Sequence, residues 1–388
     1  MKKIIFYTDS LIMGGAEKIA LDYVKLLSEL GKYDIKLLIN EDNGKKGNIL
    51  ENEIPKNVKY EFIVSEKIME KLNLYRELKQ KNVLYKLFYN YYLKKRRKEK
   101  RNIVDILKKE KYDYLIDFYN ILPSEVVDKR VICWQHMTLE TLKKKDEKLF
   151  KKKLEKIKYL IVLNEDMKKE IEVKFEKYKE KVKVIYNFFD IEKIKKISLD
   201  DTELNSKEKS LIKEDYFFAC CRIDKQKDID TLVESYKILK EKHNVKEKLY
   251  ISGVGDQKKR LENLIKNYNL ENDIVFLGLQ KNPYIWMKNA KFFIHSSHRE
   301  GFGMVLVEAL ITNGMVISSD CPVGPNEILE NGKSGVLFPV GDKEKLVEEI
   351  EKVLTNKKIV ENYKNEAKRR IEDFSKEKIK KRILEVLN

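Results

Sequence analysis

The stretch "HREGFGMVLVEAL" (residues 298–310) sets a carboxylate at each end of a change from loop to helix. Glu300 precedes Gly301-Phe302-Gly303, and Glu308 stands between Val307 and Ala309 in the apolar run "MVLVEALI". An acid in that setting needs a partner, and the hydroxyls of a ligand are good ones, since a carboxylate accepts two well-directed bonds from a diol. Glycines that open a helix offer backbone N–H groups to an anion. Other short runs supply matching groups. "CRIDKQK" carries Arg222 and Lys227, "ISGVGD" carries Gly253 and Gly255, and "CPVGPNEI" carries Gly324-Pro325 and then Glu327. In the first half "MGGAEK" carries Gly14-Gly15 and "VICWQH" ends on His136. Cations, glycines and acids brought to one place are what a nucleotide-type ligand requires.

Each of these residues also has a plainer reading. Arg222 and Lys227 are two of 81 basic residues, whose default is a solvated surface. The Gly253-x-Gly255 pair can serve a tight turn. Glu300 can be an ordinary loop acid, Glu308 an exposed helix acid, and Glu327 simply an acid suited to a helix start. A lone histidine such as His136 is commonly a satisfied core or rim residue.

For these groups to meet, the elements that carry them must end at one edge. Seven runs in the first half read as strands: "KIIFY", "DIKLLIN", "VKYEFIV", "YDYLIDF", "RVICWQH", "YLIVLN" and "VKVIYN". Six more follow: "YFFACC", "KLYISG", "IVFLG", "FFIHSS", "MVISSD" and "GVLFP". Most are continuously apolar, as strands buried on both faces are, and amphipathic helical patterns separate them. Repeated β-α units with parallel sheets follow. The polar stretch around 188–214 lacks a strand and marks the interdomain connection. The expectation is an α/β protein of two doubly wound, Rossmann-like domains facing a cleft, with ligands outside the carboxyl ends of the strands.

Composition bounds the rest. A chain of 388 residues exceeds one comfortable core, and 42% hydrophobic residues is ordinary for a globular protein. No apolar run reaches the roughly 18–20 residues of a spanning helix. The opening "MKKIIFYTDS" reads as a first strand rather than a signal peptide. Cys133, Cys220, Cys221 and Cys321 make no C-x-x-C pair, which suits reduced thiols in the cytoplasm. His136, His243, His295 and His298 form no ligand cluster, so no protein-held metal is expected. The net charge of +17 divides into +13 over 1–190 (44 basic, 31 acidic) and +4 over 191–388 (37 basic, 33 acidic). A basic first half suggests an anionic partner there.

Taken together, the motifs resemble a family. E-x7-E within "EGFGMVLVEAL", preceded by "SSHR", is similar to the donor-site signature of retaining family-4 glycosyltransferases (glycosyl transferases group 1), which have the GT-B fold. "GGAEK" resembles their first glycine loop, "VIYNFFD" the close of their N-terminal domain, and "CRIDKQKDIDTLVESY" their diphosphate-binding strand-turn-helix. "DCPVGPNEIL", "NGKSGVLFPVGD" and "FSKEKIKKRILEVL" resemble their later donor loops and terminal helix. Two glycines of the pattern are replaced, by Cys221 and Asp228; neither carries side-chain charge in the family.

The resemblance implies an acceptor-binding domain at 1–190, a nucleotide-sugar-binding domain at 191–373, and a terminal helix at 374–388 packing back towards the first domain. It implies that Glu300 and the amides of Gly301, Phe302 and Gly303 meet the donor sugar, and that Glu308 takes the ribose hydroxyls. Arg222 and Lys227 would hold the diphosphate and stabilise it as it leaves, so neither metal nor cofactor is required. Gly15 would let backbone approach the same phosphates, Gly253 and Glu327 would lie beside the nucleotide, and His136 would face the sugar. His298 and Arg299 flank the signature, towards acceptor or sugar. The expected reaction moves a hexose or N-acetylhexosamine to a glycan or lipid-diphosphate-linked acceptor in cell-surface polysaccharide biosynthesis, and "SDCPVGP", which resembles the loop of enzymes that use uridine diphosphate donors, implies a UDP-sugar.

Other functions fit less well. A sugar-nucleotide epimerase or a phosphorylase shares the architecture. Charge alone would allow a nucleic-acid-binding protein, but no such module is present and acids are interspersed, so no nucleic-acid partner is expected. An NAD-dependent oxidoreductase would want G-x-G-x-x-G after the first strand, and "SLIMGGAEK" lacks it. "LYKLFYNYYLKKRRKEKR" (84–101) reads either as a helix lying on an anionic bilayer or as one with a core stripe and a solvated end. "KKKDEKLFKKKLEKIK" (143–158) adds a second basic stretch. A cytoplasmic protein, peripheral on the inner face of a membrane, is the expectation.

Overall fold

Apolar β-branched and aromatic runs bury both faces of a strand, and they do so here from the first element onward: Ile4, Ile5, Phe6 and Tyr7 are fully buried. The computed structural model describes residues 1–12, 14–139 and 144–388. Met13 of the first glycine loop and Lys143, where the second basic stretch begins, lie outside the described residues. All thirteen runs read as strands form strands. β1 (Lys2–Thr8), β2 (Tyr33–Glu41), β3 (Lys59–Val64), β4 (Tyr114–Asp117), β5 (Val131–Gln135), β6 (Tyr159–Val162) and β7 (Val182–Val184) make one sheet in the order β3-β2-β1-β4-β5-β6-β7. β8 (Tyr216–Cys220), β9 (Lys248–Ser252), β10 (Ile274–Gly278), β11 (Phe292–His295), β12 (Val316–Ser319) and β13 (Val336–Phe338) make a second, in the order β10-β9-β8-β11-β12-β13.

Every pairing is parallel, so all strands of a sheet end at the same edge. Register is set by the central strands: β8 runs Tyr216↔Lys248 to Cys220↔Ser252 along β9, and Phe217↔Phe292 joins it to β11. The chain works outward from β8 in one direction and then from β11 in the other. The strand order therefore reverses between β8 and β11, which is where a doubly wound sheet leaves a crevice for a ligand. In the first sheet the reversal lies between β1 and β4.

The chain forms two compact units, residues 1–185 with 383–388, and residues 186–382. The polar stretch after β7, which lacks a strand as expected, is helical. It folds into helices Ile191–Ile197 and Ser206–Leu211, the first capped by the Asp190 side chain, the second by an Asn205–Glu208 capping box. Asn282 Nδ2 donates to the carbonyls of Ile197 (2.8 Å) and Asp200 (2.9 Å) and ties this segment into the second unit. Phe374, fully buried, packs its ring at an angle to Tyr186 and edge-on to Phe302 in that unit. The final helix, Lys376–Leu387, ends in the first unit, where Lys2 Nζ donates to the Leu387 carbonyl at 3.4 Å.

The loops after β8 and β9 are joined backbone to backbone. Cys221 N donates to Ser252 O (3.0 Å) and Ile223 N to Val254 O (2.9 Å). Gly253 sits at φ +139°, and a Cβ built on it would lie 1.8 Å from the Cys221 carbonyl oxygen; one on Gly255 would lie 2.1 Å from that of Ile223. Both glycines are thus required by the close approach of the loop that carries Arg222. Gly15, by contrast, opens helix Gly15–Glu29 with nothing within 4 Å of its missing Cβ. Gly253→Ala should therefore cost about 2–3 kcal/mol and lower Tm by roughly 5–10 °C, while Gly15→Ala should change stability by less than about 0.5 kcal/mol. Thermal melts of the two variants check this; equal melting temperatures would contradict it.

Candidate active site

At the reversal point of the second sheet, β8 delivers Cys221 to Lys227 and β11 delivers Ser296 to Glu300. The two loops are stitched together at close range. Ser296 Oγ donates to Lys227 O (3.0 Å), Ser297 Oγ to Gln226 O (3.1 Å), and His298 N to Gln226 O (2.8 Å). Ser319 Oγ, at the end of β12, donates to Ser297 O at 2.6 Å. Small hydroxyl residues thus satisfy buried carbonyls where no strand partner remains.

This scaffold brings Lys227 and Glu300 together. Lys227 Nζ donates to Glu300 Oε1 at 2.5 Å, and the two side chains are 14% and 11% exposed. His295, the last residue of β11 and buried, places Nε2 2.8 Å from the same oxygen and Nδ1 3.0 Å from Ser318 Oγ. Burial pushes the Glu300 carboxyl up, but hydrogen bonds and charge from His295 and Lys227 outweigh it and hold the group at about 2. Glu300 is therefore ionised at neutral pH. His295 was not among the residues the sequence singled out. Its one signal is a lone histidine closing an otherwise apolar strand.

Arg222 stands apart. Its side chain is 74% exposed and pairs with Asp224 Oδ2 at 3.2 Å, and no hydrogen bond or ion pair joins it to Lys227 or Glu300. Asp228, in place of the family's usual glycine, adopts φ 49°, ψ 51°, a left-handed conformation that glycine takes without strain and Asp tolerates better than most. It uses its side chain to cap helix Ile229–His243, accepting from Thr231 Oγ1 at 2.7 Å.

Beyond Glu300, Gly303 takes φ 93° and begins helix Met304–Thr312, which has no side-chain cap. The first amides of that helix are the orphan donors that a bound anion satisfies. Phe302 is buried, its ring centroid 6.1 Å from that of Tyr186 and 6.0 Å from that of Phe374. Gly324 must be glycine because a Cβ there would meet the Phe302 carbonyl oxygen at 2.2 Å. Glu308 has a protein partner, the Tyr284 hydroxyl at 3.0 Å. Glu327 lies in the short helix Pro325–Ile328, accepts from the Tyr186 hydroxyl at 2.5 Å, and its carbonyl accepts from Arg370 Nη2 at 2.7 Å.

Gly15 and His136 belong to the first unit. His136 follows β5, and its Nε2 donates to the Phe118 carbonyl at 2.6 Å. Burial pulls the ring down to about 4 against the opposing effect of that bond, so it is neutral at pH 7, with Nδ1 the acceptor. At the carboxyl ends of β1 and β2 lies a polar depression lined by Asp9, Ser10, Glu17, Glu41, Asn43 and Arg76. No single motif pointed to it, because its acids come from separate elements: Asp9 follows β1, Glu41 ends β2, and Glu17 lies in helix Gly15–Glu29. Among the described residues no group of three His, Cys, Asp or Glu side chains is placed to hold a metal ion.

Comparison with known proteins sets this geometry beside a family. Residues 200–370 match the model of the glycosyl transferases group 1 family. The chain is 37% identical over 171 residues to an uncharacterized glycosyltransferase of Methanocaldococcus jannaschii, covering 44% of this chain and 41% of that protein. It is 33% identical over 207 residues, 53% of either chain, to N-acetylgalactosamine-N,N'-diacetylbacillosaminyl-diphospho-undecaprenol 4-alpha-N-acetylgalactosaminyltransferase of Campylobacter jejuni. The chain spans about half the length of the curated relatives it matches. HepE of Anabaena, solved in complex with UDP and glucose, superposes with a TM-score of 0.72 over 100% of this chain and 99% of that one, at 19% identity. The fold is GT-B, built from two Rossmann-like parallel-sheet domains.

The Glu300 carboxyl is depressed in the folded state, so its stabilising contribution is complete above the unfolded value of about 4.3 and is lost as pH falls through about 2. That contribution is on the order of 3 kcal/mol. Glu300→Gln should lower stability at pH 7 and flatten the loss of stability between pH 5 and 2. Denaturant titrations at stepped pH read this directly. Parallel pH profiles for the two proteins would mean that the cluster contributes nothing.

Proposed function

We propose that the chain is a retaining, metal-independent glycosyltransferase that moves a hexose or N-acetylhexosamine from a UDP-sugar to a glycan or lipid-diphosphate-linked acceptor in cell-surface polysaccharide biosynthesis. The observation that carries this reading is the buried Glu300–Lys227 pair beside the uncapped start of helix Met304–Thr312, at the reversal point of a parallel sheet. Lys227 and the first helical amides bind the diphosphate, and Arg222, whose side chain is exposed, reaches it from the solvent side. These donors act on charge that grows as the sugar–phosphate bond breaks, which is the chief catalytic demand when the leaving group is already acidic. The acceptor hydroxyl attacks from the face the phosphate leaves, and a departing phosphate oxygen takes its proton. No residue serves as covalent nucleophile.

Glu300, released from Lys227 by the incoming diphosphate, accepts hydroxyls of the sugar, and Glu308 exchanges the Tyr284 hydroxyl for those of the ribose. Gly15 lets backbone approach the phosphates, neutral His136 offers Nδ1 to the sugar, and the acidic depression of the first unit receives acceptor hydroxyls. Support for the donor comes from the UDP and glucose held by HepE, and for the acceptor from the diphospho-undecaprenol in the name of the Campylobacter jejuni relative.

A panel of nucleotide sugars, read by release of nucleoside diphosphate with and without chelator, tests the reading. UDP-sugars should turn over and chelator should not matter; no turnover or binding of any nucleotide sugar would overturn it. Lys227→Ala and Arg222→Ala should each lose about 100- to 1,000-fold in turnover. The two glutamates should separate by calorimetry with UDP alone. Glu308→Gln should weaken binding about tenfold. Glu300→Gln should leave it intact or tighten it, because Lys227 is freed, while transfer falls by orders of magnitude. A larger loss of UDP binding in Glu300→Gln than in Glu308→Gln would reverse the two roles.

A further inference from the structure

Helices Glu66–Leu78 and Val83–Lys100 form a hairpin in the first unit whose base is fixed and whose tip is unusual. At the base, Glu99 Oε2 accepts from Ser65 N (2.9 Å) and Oγ (3.0 Å), and Arg96 Nε donates to Glu41 Oε1 at 2.6 Å. Tyr89, Tyr92 and Leu93 pack inward on Val64, Ile68, Met69 and Leu72, and Tyr75 stacks on Tyr92. The inward side of the second helix is thus settled. Its outward side is not what a solvated helix shows. Val83, Leu84, Leu87 and Tyr91 are 74%, 57%, 60% and 50% exposed, and Phe88, though its ring stacks on Tyr75, is 40% exposed. At 3.6 residues per turn they fall within an arc of about 140°.

The same arc continues into cations. Lys94, Lys95 and Lys98 lie on it and Arg97 and Arg101 flank it, all exposed. None of these five makes an ion pair among the described residues. Lys95 instead sits 4.8 Å from the Tyr91 ring centroid. The run that reads as one basic block in the sequence is therefore divided: Arg96 serves the fold, and its neighbours face outward without acidic partners.

We propose that this hairpin is a membrane-docking element whose tip enters an anionic bilayer. Along this arc the apolar residues come first and the cations follow, so the arc fits a surface that is greasy beyond a layer of negative charge, and Lys81 in the turn and Lys86 off the arc carry their ammonium groups back to that layer on long apolar stems. From Leu87 to Lys94 is about 10 Å along the axis, which matches the roughly 5–10 Å between phosphate level and the depth that interfacial side chains reach. Val83, Leu84 and Leu87 sit below the phosphates while Lys94, Lys95 and Lys98 bind them. A nucleic acid would use the cations but leave the aliphatic tip in water. The inference does not depend on the glycosyltransferase reading, because binding is measured without turnover.

The test is co-sedimentation of the full chain with vesicles of phosphatidylcholine alone and of phosphatidylcholine with phosphatidylglycerol, two parts to one. Binding is expected to the anionic vesicles at low salt and to weaken steeply at high salt, with little to the neutral ones. Replacing Lys94, Lys95 and Lys98 with Gln should cost roughly 100-fold in affinity, the change expected of three cations at about 1 kcal/mol each. Replacing Val83, Leu84 and Leu87 with Ser should weaken binding at least tenfold with an unchanged near-ultraviolet spectrum, since all three are exposed. In Leu87→Trp, brominated lipid should quench the new indole; Trp134 and Trp286 are fully buried and out of reach. Binding unaffected by either triple substitution, equal partition onto both vesicles, or a wild-type dimer that the serine triple dissolves would each overturn the proposal, the last by giving the tip a second copy as partner.

Discussion

Glu300 accepts hydrogen bonds from a lysine and a histidine at one oxygen, with little access to water. Such a cluster persists only where the backbone holds its members in place, because desolvating the charges costs several kcal/mol per ion before their attraction is counted. The parallel pairing of β8 with β11 sets Lys227 and Glu300 on adjacent loops. Ser296, Ser297 and Ser319 fix those loops through their carbonyls, and Ser318 holds the far side of His295. The left-handed turn at Asp228 then starts helix Ile229–His243 directly after the lysine. The strand order, the serine-rich strand ends and the one left-handed aspartate serve the same end, which is to keep a carboxylate and an ammonium paired at the sheet's reversal point.

On the proposed reading this pair is the resting state of the donor site. Lys227 is neutralised by Glu300 until a diphosphate offers a better partner, and the exchange delivers a free carboxylate to the sugar as the ammonium is delivered to the phosphate. One displacement thereby arms both groups. Arg222 is built differently: its side chain is exposed and pairs with Asp224. The first unit is organised on other lines, with a neutral His136, an acidic depression at the strand ends and a hairpin bearing unpaired cations.

The strands were legible in the sequence because a strand buried on both faces has to be a short apolar run, and each such run became one. The candidate cluster was legible in part. Lys227, Glu300 and the glycines around residue 302 announce themselves through spacing in single loops. His295 does not, since its importance lies in which neighbour the sheet register gives it. The same limit hid Asp9 and Glu41, acids from separate strands that meet only in three dimensions. At 188–214 polarity and the lack of a strand marked the connection but did not reveal the capped helices it forms, tied by Asn282. Composition was too coarse at 94–97, where one of four consecutive cations turns inward. Gly253 was noticed as a glycine, but the reason for it, the carbonyl of Cys221, belongs to a neighbouring strand.

The central claim is that a diphosphate takes Lys227 from Glu300. A crystal structure of the chain with UDP measures this most directly. The expected result is Lys227 Nζ within about 3 Å of a phosphate oxygen, with its 2.5 Å contact to Glu300 opened beyond ion-pair distance. UDP bound in the second unit with the Lys227–Glu300 contact unchanged, and no phosphate oxygen near the ammonium, would contradict it.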